Sequence, residues 1–219
     1  MPDHQAGDNL NGVIFTMDDR DGGAGALVIE VIPLGRVSQT AVSVAAGNVQ
    51  ALLRLNVLVL PPWPEPDYAL MATRGQYDAE AILARLARDA PASRLRLGVT
   101  AHDLCLSFVS HVFGEAQLGG RAAVVSLRRL QFFPEEGEAP RSLALERLAK
   151  VALHEMAHLL TLTHCHTPGC VVRSSSGLED LDRLDLSPCP ACLAIMARRK
   201  RQLEQALLRA PGPGRNDAN

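Results

Sequence analysis

Two histidines and a glutamate interrupt the most apolar helical stretch of the chain. The segment from Arg141 to Leu160 has apolar residues on most of its sides, which predicts a largely buried helix. His154, Glu155 and His158 lie within it in the pattern HExxH. Residues four apart on a helix lie one turn above each other, so both imidazoles can bind one ion. Burying such groups without partners costs roughly several kcal/mol, which favours a metal site in this helix.

A third histidine has the spacing that completes such a site. His164 follows His158 by six residues, as the third ligand does in the pattern HExxHxxGxxH. Three neutral imidazoles leave one position of a zinc tetrahedron open, which is typical of catalytic zinc. The pattern predicts a catalytic zinc on His154, His158 and His164, with Glu155 as the general base. The alternative is two core histidines with satisfied hydrogen bonds and a surface His164.

Four cysteines follow at once and predict a second metal site. Cys165 and Cys170 form C-x4-C, and after eighteen residues Cys189 and Cys192 form C-x2-C. Four thiolates in two close pairs suit a closed tetrahedral zinc site, which would organise a segment with few apolar residues. The alternatives are four unrelated thiols or a redox pair at Cys189 and Cys192, which lacks the usual strand–helix setting. Cys105 lies alone in an apolar run and is predicted to be a core residue.

These motifs resemble the archaemetzincins, whose signature is HExxHxxGxxHCx4CxM followed by CxxC. The resemblance covers about residues 25 to 205 and rests on HEMAHLLTLTHCHTPGC, CPAC, IPLGRV, RGQYDAEAIL, LGVTAHDL and VFGEAQLGGRAAVVSLRRL. It implies a compact zincin-like α/β fold and a peptidase with two zinc ions. One would be catalytic, on the three histidines, and one structural, on Cys165, Cys170, Cys189 and Cys192.

The chain departs from that signature at two positions. Thr161 stands where the family has glycine, and a β-branched residue in the left-handed region costs about 1–2 kcal/mol. Thr161 therefore either uses a different turn or strains the site. Val172 stands where the family has methionine under the metal, and it keeps the apolar character but not the reach.

The expected chemistry is peptide-bond hydrolysis. Glu155 would take a proton from a water that zinc activates and deliver it to the leaving amine. The substrate would extend along an edge strand, for which the resemblance to other zincins suggests Arg121–Leu127. A catalytically weak or inactive binding protein that keeps both zinc ions is the alternative, and an adaptor with only the cysteine zinc is a third hypothesis. The choice between endopeptidase and aminopeptidase stays open.

The periodicity predicts an α/β (α+β) fold, with a mixed twisted sheet, flanking helices and a small C-terminal subdomain stapled by the cysteine site. Predicted strands are 24–32, 56–60, 94–99, 104–113 and 121–127; predicted helices are 36–55, 76–89, 141–160 and 191–208. The predicted divisions are a flexible N-terminus (1–23), a zincin-like subdomain with the active-site helix (24–163), the C-terminal subdomain (164–208) and a disordered tail (209–219).

Composition narrows the class of partner. A formal net charge of −2 gives no support to nucleic-acid or anionic-membrane binding, and the basic cluster 198–201 is predicted to be a solvated face. The polar N-terminus shows no secretory signal, and no apolar run approaches the length of a membrane span. We expect a cytoplasmic monomer that acts on peptides or small proteins.

Overall fold

The computed structural model describes residues 26–133 and 137–209, together with the backbone of residues 14 and 15. The helices are α1 (Gln39–Leu53), α2 (Ala79–Ala87), α3 (Arg141–Leu159), α4 (Leu178–Asp182) and α5 (Pro190–Arg209). The strands are β1 (Ile14–Phe15), β2 (Val28–Leu34), β3 (Asn56–Val59), β4 (Leu70–Met71), β5 (Gln76–Asp78), β6 (Arg94–Thr100), β7 (Leu104–Leu106), β8 (Val109–Val112), β9 (Gly114–Ala116), β10 (Ala122–Ser126), β11 (Phe132–Phe133) and β12 (Gly137–Glu138).

The main sheet has six described strands in the order β1-β3-β2-β6-β10-β9. The four inner strands are parallel, and the two outer ones, β1 and β9, are antiparallel to their neighbours. Both β2 and β10 are buried along their whole length, as their aliphatic composition requires in a sheet covered on both faces. A second sheet has the order β4-β5-β7-β8, and β11 pairs with β12.

Helices cover both faces of the main sheet. Helices α1 and α3 pack on one face and α2 packs on the other. Side chains alternate between the two cores along β10, where Ala123 and Val125 join the α3 side and Ala122 and Val124 join the α2 side. The result is a three-layer α/β arrangement with α3 beside the edge strand β9.

Most predicted elements are confirmed to within a few residues, but two are wrong in form. The segment 104–113 is not one strand, because β7 and β8 form a hairpin in the second sheet and the chain then enters the main sheet as β9. The segment 76–89 begins as a strand, and α2 starts only after Asp78, whose carboxylate accepts the backbone N–H of Glu80 at 2.9 Å.

The C-terminal elements pack against the same core as the sheet. Arg147 of α3 is fully buried and forms two hydrogen bonds of 2.7 and 2.6 Å with Asp182 of α4.

The domain boundary at residue 163 stays a prediction. The predicted flexible N-terminus and tail lie outside the described residues, except for residues 14, 15 and 209. None of the described helices combines the length and the apolar character that a membrane span requires.

Candidate active site and metal centres

Helix α3 presents two histidines toward one point. The Nδ1 atom of His154 lies 2.9 Å from the carbonyl oxygen of Val171, and that of His158 lies 2.7 Å from the carbonyl oxygen of Leu162. Since a carbonyl oxygen only accepts, each Nδ1 carries the proton and each Nε2 keeps a free lone pair. The two Nε2 atoms lie 3.0 Å apart, so their lone pairs are directed at the same small volume.

A tight turn after α3 brings the third histidine back. Thr161 has φ +69, in the left-handed region, and its backbone N–H donates to the carbonyl of His158 at 2.9 Å. The backbone N–H of Leu162 then donates to the carbonyl of Ala157 at 3.1 Å. The His164 ring consequently lies 5.3 Å from the His154 ring and 5.1 Å from the His158 ring, centroid to centroid. Of the two alternatives for Thr161, a different turn or a strained one, the structure shows the strained turn.

The three imidazoles fit a divalent metal. One nitrogen from each lies within 4.8 Å of the others, and tetrahedral zinc places its nitrogen ligands about 3.4 Å apart. Burial lowers the pKa of His154 to about 4 and lowers that of His158. Both rings are therefore neutral at pH 7, which is the form that binds a metal.

Glu155 lies beside this cluster in a buried position. It follows His154 on α3, and burial, with the negative charge of Glu115, raises its pKa well above the usual value. Room for its side chain comes from Gly114 on β9, because a Cβ there would lie 2.8 Å from both Cγ and Oε1 of Glu155. A cation held by the histidines would favour the charged carboxylate, as a general base requires.

The histidines and Glu155 lie on one wall of a cleft of about 590 Å³. A second wall is the run of residues 109–116, followed by Leu118, and residues 174–176 line another part of the cleft. The edge strand at this cleft is β9, and the prediction of Arg121–Leu127 was wrong, because β10 lies between β6 and β9. The true edge strand has a weak sequence signal, because it is only three residues long.

The four cysteines form the second cluster. Sγ of Cys165 lies 3.8 Å from that of Cys189, and Sγ of Cys170 lies 3.9 Å from that of Cys192. A disulfide requires about 2.05 Å, whereas a zinc tetrahedron with Zn–S bonds of about 2.3 Å has edges of about 3.8 Å. All four sulfur atoms lie within 4.8 Å of one another. The arrangement therefore fits a closed metal site and not two disulfides.

The thiols of this cluster do not share one acidity. Hydrogen bonding from the Cys192 backbone N–H lowers the pKa of Cys189 to about 6, while burial and the neighbouring thiols raise the pKa of Cys192. Burial also raises the pKa of Cys170. Packing four thiolates together without a cation is unfavourable, and a zinc ion would stabilise all four in the charged form.

Comparison with known proteins identifies the family. The profile of peptidase family M54 matches residues 50–198. An archaemetzincin of Archaeoglobus fulgidus is 37% identical over 164 residues, which make up 75% of this chain and 95% of that protein. The chain belongs to the archaemetzincin family. Membership makes it a zinc metallopeptidase.

Solved archaemetzincin structures share the fold. The crystal structure of the Archaeoglobus fulgidus protein, complexed with malonate, matches with a TM-score of 0.67 and 36% identity, and the match covers 77% of this chain and 99% of that chain. That of Methanopyrus kandleri matches with a TM-score of 0.69 and 31% identity, covering 81% and 97%. The match therefore spans nearly the whole length of both archaemetzincins.

The structure also shows the surroundings of Val172, of Tyr77 and of the basic cluster 198–201. Val172, at the methionine position of the archaemetzincin signature, is fully buried, and its carbonyl accepts the backbone N–H of Cys165 at 3.0 Å. Tyr77 stacks on His102 with 4.2 Å between ring centroids, so it is a packing residue. In the basic cluster, Lys200 donates to the carbonyl of Arg54 at 2.6 Å, beyond the end of α1.

Sequence reasoning missed the cleft wall that faces Glu155. Gly114 and His111 both line the cleft, and no spacing rule marks either. Gly114 is important because it has no Cβ, which leaves room for the Glu155 side chain. This role depends on the packing of α3 against β9, which the sequence pattern does not show. Cys105 is fully buried, as predicted, and His166 is exposed, with its carbonyl accepting a hydrogen bond from Arg173.

Proposed function

We propose that this archaemetzincin hydrolyses peptide bonds at a zinc ion held by His154, His158 and His164, with Glu155 as general base. The observation that supports it is the pair of Nε2 atoms, 3.0 Å apart, whose tautomer two backbone carbonyls determine. Bound zinc supplies a Lewis acid that acidifies water and polarises a carbonyl. The open cleft at the histidines leaves space for water and substrate.

Glu155 and strand β9 would have different roles in the reaction. The Glu155 carboxylate, directed past Gly114, would accept a proton from the attacking water and return it to the leaving amine. The outer edge of β9, the last described strand of the main sheet, would align the substrate main chain as an added strand, a mode of binding that tolerates different sequences. Burial of Glu155 strengthens its interaction with any nearby positive charge.

The cysteine cluster would hold a second, structural zinc, giving two ions per chain. Its support is the sulfur geometry, because four thiolates would fill all four positions of a zinc tetrahedron and leave none for substrate. The substrates would be peptides or small proteins and the enzyme a cytoplasmic monomer, as proposed from composition and motif. The predicted boundary at residue 163 would separate the main sheet and α3 from the segment that the cysteine cluster holds.

The test is peptide turnover by Glu155→Gln. This change preserves size and the histidines while removing the base, so turnover should fall by about 10²–10⁴-fold with the zinc content unchanged. Glu179→Gln is the matched control, because its side chain is 81% exposed on α4 and should leave turnover at the wild-type level. Equal turnover by wild type and Glu155→Gln would remove Glu155 as base.

The binding-protein alternative has its own outcome. A wild-type chain that carries both zinc ions but cleaves nothing in a diverse peptide pool would favour a catalytically inactive protein. The strained Thr161 motivates that alternative. The close approach of His164 to the other rings in spite of the strain favours catalysis.

A further inference from the structure

The cleft wall joins the outer strands of two sheets. Residues 109–116 all line the cleft, and among the described strands β8 is the outer strand of the second sheet and β9 is the outer strand of the main sheet. Eight extended residues span at most about 26 Å. Gly114, opposite Glu155, lies within this run, with cleft-lining residues on both sides of it.

Exposed apolar side chains mark both ends of this run. Phe108 immediately precedes it and is 82% exposed, and Leu118 lies just beyond it and is 59% exposed. A single exposed apolar residue is ordinary on a protein surface. These two flank the two ends of the cleft-lining run 109–116.

Hydrogen bonds hold the Phe108 turn in place. The guanidinium of Arg74 donates to the carbonyls of Leu106 and Val109 at 3.0 Å each and to that of Ser110 at 2.9 Å. Gln76 donates to the Ser110 carbonyl as well, at 2.8 Å. The tip of the β7–β8 hairpin is therefore anchored on both sides of Phe108, and the ring is presented by a fixed turn.

The Leu118 turn is anchored to the active-site helix. The backbone N–H of Gly119 donates to the carbonyl of His158 at 2.8 Å, and that of Gly120 donates to the carbonyl of Gln117 at 2.8 Å. Gly119 has φ +67, a conformation that glycine adopts without strain. These hydrogen bonds connect the turn that carries Leu118 to the helix that carries the histidines.

The described lining of the cleft contains no acidic group placed to bind the free amino terminus of a peptide. The two carboxylates among its described lining residues are Glu115 and Glu155. Glu115 pairs directly with Val124, whose side chain packs on the α2 side, so Glu115 points to the face opposite α3. An amine-binding acid beside Glu155 is therefore lacking in the described part of the cleft.

We propose that Phe108 and Leu118 contact apolar side chains at the two ends of an extended substrate segment of about eight residues. The enzyme is then an endopeptidase for extended, apolar-containing chain segments. The inference rests on the proposed function, because it takes the cleft as the substrate site. Each contact removes part of one large apolar side chain from water, which strengthens binding about fivefold.

The test is a binding measurement that does not depend on turnover. Zinc-loaded Glu155→Gln protein is titrated with fluorescent, acetylated and amidated peptides of four, six, eight and ten residues that alternate leucine and serine. Affinity should rise with length and level off near eight residues. Adding Phe108→Ser or Leu118→Ser should weaken octapeptide binding about fivefold and reduce the advantage of eight residues over four. Leu208→Ser, at a 71% exposed leucine on α5, is the matched control and should leave that advantage unchanged.

Three results would overturn the inference. These are equal affinity for four and eight residues, a Phe108→Ser protein that binds like its parent, or a wild-type dimer that Phe108→Ser converts to a monomer. Turnover of the same octapeptide by wild type separates the two proposals. Length-dependent binding without Glu155-dependent cleavage would defeat the proposed function alone, and cleavage without length dependence would defeat this inference alone.

Discussion

Two candidate metal centres lie next to each other in the chain, with His164 in one and Cys165 in the other, yet they are built differently. The histidine centre has two of its side chains on one helix and opens into a cleft of about 590 Å³. The cysteine centre has its side chains on a loop and at the start of α5, and Cys170 and Cys192 are buried. The first arrangement suits chemistry, and the second suits holding a segment together.

The two centres are nevertheless connected through backbone groups. The carbonyl of Val171, which follows Cys170, accepts the Nδ1 proton of His154 at 2.9 Å. The carbonyl of Val172 accepts the backbone N–H of Cys165 at 3.0 Å. The cysteine segment therefore orients a histidine of the other centre, and a partner of this kind determines the tautomer of a metal-binding histidine.

The largest effect should come from opening the cysteine centre. Cys170→Ser removes a thiolate from a site whose metal contributes about 10–16 kcal/mol in small zinc domains, so the segment around α4 and α5 should lose its cooperative thermal transition. Cys105→Ala removes a buried thiol outside both centres and should cost only about 1 kcal/mol. Similar melting curves for the two variants would contradict a structural role for the cluster.

A smaller and more selective effect should follow from filling the space at Gly114. Gly114→Ala would place a Cβ 2.8 Å from Glu155 and 2.9 Å from Val151, displacing the carboxylate. Peptide turnover should fall by at least about 10²-fold while both zinc ions stay bound. Gly47→Ala, within α1 and with no atom within 4 Å of the new Cβ, is the control and should raise stability by up to about 1 kcal/mol. Normal turnover by Gly114→Ala would break the assignment of the Glu155 wall.

The smallest effect concerns the turn between the centres. Thr161→Gly should relieve the left-handed strain of an exposed threonine and raise the free energy of unfolding by about 0.5–1 kcal/mol. Thr163→Gly makes the same change two residues later, where φ is not positive, and should lower stability. Denaturant unfolding of both variants checks the difference, and a loss of stability in Thr161→Gly would show that the turn is not strained.

Sequence predicts the local parts of this molecule well. The helix that carries His154 and His158 follows from the periodicity of apolar residues. The spacing of the histidines and cysteines predicts which of these side chains lie together. Both kinds of signal depend on residues close in the chain. The inner strands β2, β3 and β10 are predictable from their aliphatic runs, and β6 is predictable from its alternation of arginine and leucine.

What escaped prediction depends on distant packing. The edge position of β9 follows from strand order, which no short segment encodes, and Gly114–Ala116 lacks an aliphatic run. The break of 104–113 into two sheets depends on Arg74, more than thirty residues earlier, which binds the carbonyls of the hairpin. The sequence offers two alternatives for the backbone of Thr161, and only the folded structure shows which one is adopted.

The most direct test of this account is the zinc content of purified protein, measured by mass spectrometry against protein concentration. We expect two zinc ions per chain in the wild type and one in His158→Ala, whose melting temperature should stay near that of the wild type because the cysteine centre is intact. One ion in the wild type, or two in His158→Ala, would contradict the assignment of separate histidine and cysteine centres.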